Sequence, residues 1–523
     1  MFLKIQSHKN KIFIFFLLFF SIIFNQYYGN MGAFPIDSFL HFDAGYRILK
    51  GDHPFKDYWT MAAPLVDYLQ AFFFYLFGLH WKSYVLHASL INGFLTLSTY
   101  FVLRNFKLNI YYSFLYSLLF SILAYPSSGT PFVDHHSSFF SLLGIYSLLL
   151  AINNQKKLYW LLLPVFLGLA FFSKQVPSSY VILSTGFIVV LYSLKNKKFE
   201  CIKYSLIGMA IFIFSVLIFG KLQGIKLASF FDQYIYYPQS IGGERFQNLN
   251  FSFRSVISHF KFIYFAIIPL LYVNFKKFFF SKDYIKHNDF YFFLSLFFLT
   301  ASLIFHQLLT KNQTLIFFLI PVLTAFSHIS LTNIKLISKN LMYWILILFC
   351  LFATFKYHLR FNENRKFHEL QNVNLQLSID AKKIHKKLSG LNWITPQFKN
   401  NPNEEIKLIN QIESYLRKDS RKKMVITNYS FFSTILDQKL FSPSRVYAGD
   451  GTTNPLKGNK YSTKYKELMI NLINKNKILV IYIIGPLDSA NIYDYIDQKC
   501  FKETYVLEQL TSYELKNCSE IKG

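Results

Sequence analysis

The sequence has 523 residues, of which 53% are hydrophobic, 20% are aromatic and only 16% are charged, and phenylalanine alone occurs 62 times. Soluble domains usually carry about 25% charged residues. So much apolar surface, arranged in long blocks, needs contact with lipid. We therefore expect a polytopic membrane protein, although the length alone would also allow two or three soluble domains.

The formal net charge of +27 would suggest nucleic acid as a partner of a soluble protein. Here much of the Lys and Arg lies in short gaps between apolar blocks, which is the pattern that sets membrane topology, so no nucleic-acid partner is expected. Four cysteines exclude a disulfide-rich scaffold. Cys500 and Cys518, both near the C-terminus, are the pair predicted to form a disulfide.

The apolar blocks predict about eleven membrane helices. The first, at 12–24, follows a basic N-terminus and lacks a convincing cleavage site, so we interpret it as a retained signal anchor. The others are expected at 84–103, 109–125, 137–152, 158–173, 178–194, 203–220, 261–275, 290–309, 314–331 and 341–355.

Short segments dense in Lys or Arg predict which side of the membrane is cytoplasmic. They are 104–107, 155–157, 195–203, 276–288 and 335–340. With a cytoplasmic N-terminus and an odd number of crossings, the tail from Lys356 would be extracytoplasmic. We expect a multi-pass cell (inner) membrane protein with a transmembrane domain at 1–355, a first outer loop at 25–82 and an extracytoplasmic domain at 356–523.

The tail is polar and charged, unlike the rest of the chain. A helix is predicted at 404–417 and strands at 424–427 and 478–484, which suggests a small α/β domain. Two roles stay open for this domain: a passive stabilising cap, or a part in acceptor binding.

The first outer loop contains the strongest candidates for chemistry. Its segment 36–50 has the apolar spacing of a helix lying on the membrane surface. Asp43 precedes Arg47 by four residues and is expected to pair with it, whereas Asp37 has His41 at the same spacing and is the freer base. The alternative for Asp37 is a helix N-cap, and one residue can do both.

The loop continues as an ordered series of short motifs: Leu49-x-Gly51, then Pro54-Phe55-Lys56-Asp57-Tyr58, then Pro64-Leu65, then Phe77-Gly78. Together with Asp37, this arrangement resembles the C-class (GT-C fold) polyprenyl-phosphate-sugar-dependent glycosyltransferases, which include protein O-mannosyltransferases and aminoarabinose transferases. The resemblance is close over about 45 residues and extends loosely to the many-span layout. It implies a GT-C-like α-helical membrane fold with a small C-terminal α/β domain.

The resemblance also implies the chemistry. A polyprenyl-phosphate-linked sugar would be the donor, and a glycan, lipid or protein hydroxyl on the outer face would be the acceptor. A first-loop acid would act as general base, because a sugar hydroxyl is a poor nucleophile. Asp37 is the first candidate, but Ser38 follows it where many relatives have a second acid, so Asp43 is kept as catalytic too. His41 and Asp57 are assigned to substrate binding.

The second outer segment, 125–138, contains Asp134 followed by His135 and His136. These residues are expected to bind substrate, and Asp134 with Asp37 would supply ligands if a divalent cation takes part. Adjacent histidines on a helix point in different directions, so both are not expected on one metal. The alternative is that Asp134 caps the next helix while the histidines lie among the lipid headgroups.

Cations near the outer leaflet are needed to stabilise the departing lipid phosphate. An alternative for each candidate is a residue at the membrane interface whose charged end reaches out of the bilayer. The candidates are Lys174, Arg245, Arg254, His306 and Lys311.

Two other functional classes fit part of the sequence. A transporter or lipid-linked glycan flippase would also have many spans, but transporters usually place ionisable residues within the spans, and here most acids lie in loops or in the tail. A sensor would fit the tail but would leave the elaborate first loop unexplained.

Overall fold

The computed structural model describes residues 2–247, 249, 251–280, 283–310, 316–332, 339–485 and 490–516. The chain divides into two compact units. The first, the helical unit, comprises Met1–Gly29, Ala88–Val216 and Asn248–Phe367. The second, the loop-tail unit, comprises Asn30–His87, Leu217–Gln247 and His368–Gly523.

Long apolar helices make up the helical unit, two of them continuing into segments of the other unit. Among the described residues, eight helices are long and apolar enough to cross a membrane. The helices are Phe2–Gly29, Trp81–Asn105, Ile110–Leu123, Val133–Asn154, Lys157–Ser173, Gln175–Asn196, Glu200–Leu222, His259–Phe280, Asn288–Thr310, Leu319–Thr332 and Lys339–Tyr357. The predicted α-helical polytopic membrane fold is confirmed, and each predicted span coincides with one of these helices.

Three predicted spans coincide with shorter helices, Ile110–Leu123, Lys157–Ser173 and Leu319–Thr332, which have 14 to 17 residues. At about 1.5 Å per residue they are about 21–26 Å long, less than the roughly 30 Å of a bilayer core. The count of eleven full crossings therefore stays a prediction. The predicted cytoplasmic segment 335–340 lies mostly outside the described residues, which resume at Lys339.

The helices differ in what they face. Val133–Asn154 is buried along nearly its whole length and forms the centre of the unit. Glu200–Leu222 exposes large apolar side chains, among them Ile211 and Phe214. An apolar surface of this kind needs lipid around it.

Polar groups gather at two opposite ends of the helical unit. Asp134 and Asn153 are nineteen residues apart in one helix, which is about 28 Å at about 1.5 Å per residue. His306 and Asp289 are similarly about 26 Å apart in the helix Asn288–Thr310. Asp134 and His306 are in contact at one end, and Asn153 and Asp289 line one cavity at the other. We call these the Asp134 end and the Asn153 end.

A four-stranded sheet organises the loop-tail unit. The strand order is Lys423–Thr427, Val480–Ile484, Leu510–Leu515, Phe501–Leu507. The first two strands are parallel, with Met424 opposite Ile481, and the other pairs are antiparallel. Two long helices, Pro402–Lys418 and Ser462–Asn476, accompany the sheet. The predicted small α/β domain is confirmed, while the helix Ser462–Asn476 and the C-terminal hairpin were not predicted.

The first outer loop shares its core with the tail. Gly32 and Ala33 donate backbone hydrogen bonds to the carbonyls of Asn392 and Ile394, at 3.0 and 2.9 Å. The Phe39 ring, fully buried, lies 4.8 Å from the ring of Phe431. Burial of one such side chain contributes about 1.5–3 kcal/mol. Because the loop completes the core of the tail, the compact units cut across the predicted domains 1–355 and 356–523. Local sequence does not reveal this packing.

Candidate active site

Asp37 is the third residue of the short helix Pro35–Ser38, and its side chain is partly exposed. The helix begins after Phe34, which makes no side-chain cap, and the hydroxyl of Ser38 accepts a hydrogen bond from the Phe34 amide at 2.9 Å. The alternative that Asp37 is the N-cap is therefore wrong. Its role as a base stays a prediction.

The single helix predicted at 36–50 is also wrong, because the chain forms Pro35–Ser38 and Phe42–Leu49 with a break between them. The break contains Phe39 and His41, whose side chains are fully buried. Tertiary packing of these two residues outweighs the local helical spacing.

The carboxylate of Asp43 is held by the tail. It accepts hydrogen bonds from the amides of Ser433 and Thr434, at 3.1 and 2.9 Å, and from the Thr434 hydroxyl. Burial raises the pKa of Asp43, and these hydrogen bonds oppose the rise. Asp43 thus fastens the first loop to the tail.

The predicted pair between Asp43 and Arg47 is wrong. The Nε atom of Arg47 lies 3.6 Å from the carboxylate of Asp52 instead, and its guanidinium lies over the ring of Tyr58, 4.2 Å from the centroid. Asp52 also accepts a hydrogen bond from Lys439 of the tail at 2.8 Å. Contacts with residues distant in sequence decide both pairings.

His41 belongs to a buried charge network that the sequence did not reveal. Its Nδ1 atom lies 2.6 Å from Asp67, and Nη1 of Arg445 lies 3.1 and 3.0 Å from the two oxygens of the same carboxylate. Burial lowers the pKa of His41, and the bond to Asp67 opposes this. The described partner of His41 is thus Asp67, not Asp37. Asp67 lies between the motifs Pro64-Leu65 and Phe77-Gly78, but Arg445 follows it by 378 residues, so no local signal could find the pair.

Asp57 also makes a contact within the loop. Its Oδ2 atom accepts the backbone hydrogen bond of His53 at 2.9 Å. This closes the turn that carries the predicted Pro-aromatic-basic-acid motif. Substrate binding by Asp57 and by His41 stays a prediction.

Three predicted site residues meet at the Asp134 end of the helical unit. Nζ of Lys174 lies 2.8 Å from both oxygens of Asp134. Nε2 of His306 lies 2.8 Å from one of those oxygens. Asp134 has 5% and Lys174 21% of its side chain exposed, so the carboxylate is buried and the lysine side chain is partly exposed.

The backbone around Lys174 explains its position. It has an extended backbone, with φ −161° and ψ 135°, between the helices Lys157–Ser173 and Gln175–Asn196. Its carbonyl accepts hydrogen bonds from the hydroxyls of Ser137 and Ser178, at 3.2 and 2.5 Å. The ammonium is thereby fixed at a helix junction.

The alternative for this segment, a capping Asp134 with histidines among the headgroups, is wrong. The helix begins at Val133, so Asp134 lies in its first turn, and both histidines are fully buried. His135 contacts the hydroxyls of Ser127 and Ser128, while His136 contacts that of Tyr125 at 2.6 Å. The two rings do point to different partners, as predicted.

The other predicted cations are less informative. Arg254 is exposed at the start of the π-helical segment Arg254–Ser258. Arg245 lies in the helix Tyr237–Gln247, but its side chain is outside the described residues, and so is all of Lys311. No role for these three follows from the structure.

A divalent cation finds no suitable ligand set in the described part of the chain. There, no three His, Cys, Asp or Glu side chains converge so that they could hold a metal ion. Asp134, one of the two predicted metal ligands, already faces the ammonium of Lys174. Participation of a divalent cation stays a prediction, and no chemical step is derived through one.

The three described cysteines agree with the predicted pairing. Cys201 and Cys350 are free, and Cys500 is disulfide-bonded. Cys518 lies outside the described residues, so the pairing of Cys500 with Cys518 stays a prediction.

The structure combines a helical membrane fold with a buried charged cluster at Asp134. The sequence model of the family described as dolichyl-phosphate-mannose-protein mannosyltransferase matches residues 52–219. The match includes Asp57, Asp134 and Lys174 and begins after Asp37 and Asp43. It confirms the predicted resemblance to the C-class glycosyltransferases.

Two solved structures have a similar course of the chain. One is ArnT from Cupriavidus metallidurans bound to undecaprenyl phosphate, with 9% identity and a TM-score of 0.49, covering 96% of this chain and 97% of that one. Another is the oligosaccharyltransferase of Archaeoglobus fulgidus, with 11% identity and a TM-score of 0.43, covering 95% of this chain and 73% of that one. No curated protein gives a significant sequence match.

Proposed function

We propose that this glycosyltransferase moves a sugar from a polyprenyl-phosphate-linked donor to a hydroxyl of a glycan, lipid or protein on the outer face of the cell (inner) membrane. The observation that carries the proposal is the cluster of Asp134, Lys174 and His306. Ionisable side chains buried within a membrane protein are costly and usually functional, and Asp134 and His306 are buried. An ammonium at such a depth suits the phosphate of a lipid-linked donor.

Lys174 would stabilise the departing phosphate. An ammonium has three hydrogen-bond donors, and Asp134 lies 2.8 Å from Nζ through both of its oxygens. A third donor is then left for a phosphate oxygen, whose charge grows as the bond to the sugar breaks. Asp134, with His306 on its other side, would position the ammonium and would not contact the donor.

Asp37 would act as the general base. It is partly exposed, whereas only 8% of Asp43 is exposed. The acceptor oxygen attacks the anomeric carbon, and its proton passes to the Asp37 carboxylate. The bond between that carbon and the phosphate oxygen breaks, and the electron pair leaves with the phosphate.

The proposal includes the orientation of the chain in the membrane. The predicted cytoplasmic segments supply Lys107 and Lys277 to the Asn153 end, so we place that end at the cytoplasm and the Asp134 end outside. The N-terminus would be cytoplasmic and the C-terminal domain extracytoplasmic.

The test is transfer by purified protein in lipid nanodiscs. Undecaprenyl-phosphate-linked hexoses and pentoses are supplied with an envelope extract as acceptor, and release of undecaprenyl phosphate is measured. Asp37→Asn should lower the rate by about a hundredfold to ten-thousandfold, the usual contribution of a general base. Asp52→Asn, the same change at a residue of the same loop that pairs with Arg47 and Lys439, is the control for folding.

Three outcomes would count against parts of the proposal. Full activity of Asp37→Asn with a dead but folded Asp43→Asn would move the base to Asp43. Full activity of both variants would exclude a catalytic role for the first loop. Movement of the lipid-linked sugar across the bilayer without a new glycosidic bond would favour the transporter or flippase instead.

A further inference from the structure

The Asn153 end of the helical unit contains a cavity of about 280 Å³ that the proposed reaction does not use. It lies among the ends of five helices, Trp81–Asn105, Val133–Asn154, His259–Phe280, Asn288–Thr310 and Leu319–Thr332. The helix Val133–Asn154 separates it from Asp134 by about 28 Å at about 1.5 Å per residue. The cavity is therefore a second site and not an extension of the Asp134 cluster.

One part of the cavity wall is polar. Its polar groups are Asn105, Lys107, Asn153, Asn274, Lys277, Asp289, Ser330 and Thr332. Lys277 contacts Asp289, and the Lys107 side chain is exposed. Two cations against one acid leave the wall with net positive charge, which suits an anion.

The floor of the cavity is built by a buried amide. Asn274 lies within a membrane helix and is 5% exposed. Its Nδ2 donates to the carbonyl of Leu270 at 2.6 Å, and its Oδ1 accepts from the hydroxyl of Tyr284. A polar side chain at this depth is stable only because both of its groups are hydrogen-bonded. The polar floor is thus held in place before any ligand binds.

The lining also contains aromatic rings. Phe106, Phe292 and Phe326 line it, and the Phe106 ring lies 5.0 and 5.5 Å from the other two. A ligand that suits both kinds of group carries a negative charge on an apolar body. The volume equals about nine waters at roughly 30 Å³ each, which is enough for a phosphate with its glycerol.

We propose that this cavity binds the phosphate headgroup of an anionic phospholipid. Basic pockets between membrane helices on the cytoplasmic side are the usual places for such headgroups. The phosphate would lie between Lys107 and Lys277 and would compete with Asp289 for the second ammonium. The first methylene groups of the acyl chains would lie against the three phenylalanine rings. Binding there ties together helices that also hold Asp134 and His306 at their far ends.

The test is lipid retention by the full-length protein. The purified protein is mixed with dioleoylphosphatidylglycerol or dioleoylphosphatidylcholine in detergent, and bound lipid is counted by native mass spectrometry. One phosphatidylglycerol should be retained at about tenfold lower concentration than phosphatidylcholine. The variant Lys107→Ala/Lys277→Ala should abolish this preference, and Asp289→Asn should strengthen it because the competing carboxylate is gone.

Lys157→Ala is the matched control. This lysine belongs to the predicted cytoplasmic segment 155–157 and stands outside the cavity lining, over the ring of Tyr204. The control should keep the preference. Equal retention of the two lipids, or an unchanged preference in the double variant, would overturn the proposal. Displacement of phosphatidylglycerol by millimolar inorganic phosphate would replace the lipid by free phosphate as the occupant. The measurement needs no transfer activity, so its failure is independent of the proposed function.

Discussion

Substitutions of Lys174 and Asp134 can separate the effect of their ion pair on stability from its effect on transfer. Lys174→Met keeps the length of the side chain but leaves Asp134 buried beside His306 alone, with only 5% of its side chain exposed. Breaking a buried ion pair from one side usually costs about 3–5 kcal/mol. We expect a loss of that size in the free energy of unfolding, measured by denaturant titration in mixed micelles, and a loss of transfer as well.

The double variant Asp134→Asn/Lys174→Met removes both charges. Replacement of a whole buried pair is often close to neutral, so stability should return to within about 1–2 kcal/mol of the wild type, the usual size of one net hydrogen bond. Transfer should stay about a hundredfold to thousandfold low, the typical effect of removing one group that stabilises transition-state charge. Asp134→Asn alone keeps an oxygen for Lys174 and should retain most of the activity.

Two results would refute this reasoning. Recovery of transfer in the folded double variant would mean that Lys174 serves only to neutralise Asp134. An unchanged stability of Lys174→Met would mean that the pair carries no net energy, and the magnitude worked out above would be wrong.

Three further predictions concern the rest of the chain. Gly32→Ala should lose about 2–3 kcal/mol of stability in the same titration, because the glycine has φ +69° and its new methyl group would overlap a packed side chain. Gly51→Ala is the control: this glycine has φ +85° but lies in open space, so the loss should be only about 1 kcal/mol. A reporter fused to the C-terminus should signal from outside the cytoplasm, and a cytoplasmic signal would contradict the eleven-span topology. Thiol labelling without reductant should leave Cys500 and Cys518 unmodified, and full labelling of both would exclude their disulfide.

The sequence predicted those parts of the structure that depend on local composition. Apolar length located each predicted membrane helix, because a bilayer imposes the same requirement on every span. The strand at Val480–Ile484 and the helix Pro402–Lys418 were found within about two residues of their ends, which is the usual disagreement at element boundaries. These two elements could be predicted because their pattern of apolar residues lies within a short stretch of sequence.

Contacts between residues far apart in sequence were beyond this reasoning. Helical spacing predicted that Asp43 pairs with Arg47, yet its partners lie about 390 residues away, in the tail. The same holds for Asp67 and Arg445. The cluster of Asp134, Lys174 and His306 is an intermediate case, since all three were named as candidates from their place near span ends, but no pattern in the sequence showed that they touch.

The bonds between Asp43 and the tail set an order of events during synthesis. At about 5–20 residues per second, a ribosome needs about 20–80 s to reach Thr434 after it has made Asp43. During that interval the aromatic residues Phe39 and Phe42 lack the tail residues that cover them in the finished core. In a chain that stops before the tail they stay uncovered, and chaperones and proteases act on such surfaces. Arrival of the tail thus separates complete from truncated chains, and premature stop codons near the end should lower the amount of protein in the membrane and not only its activity.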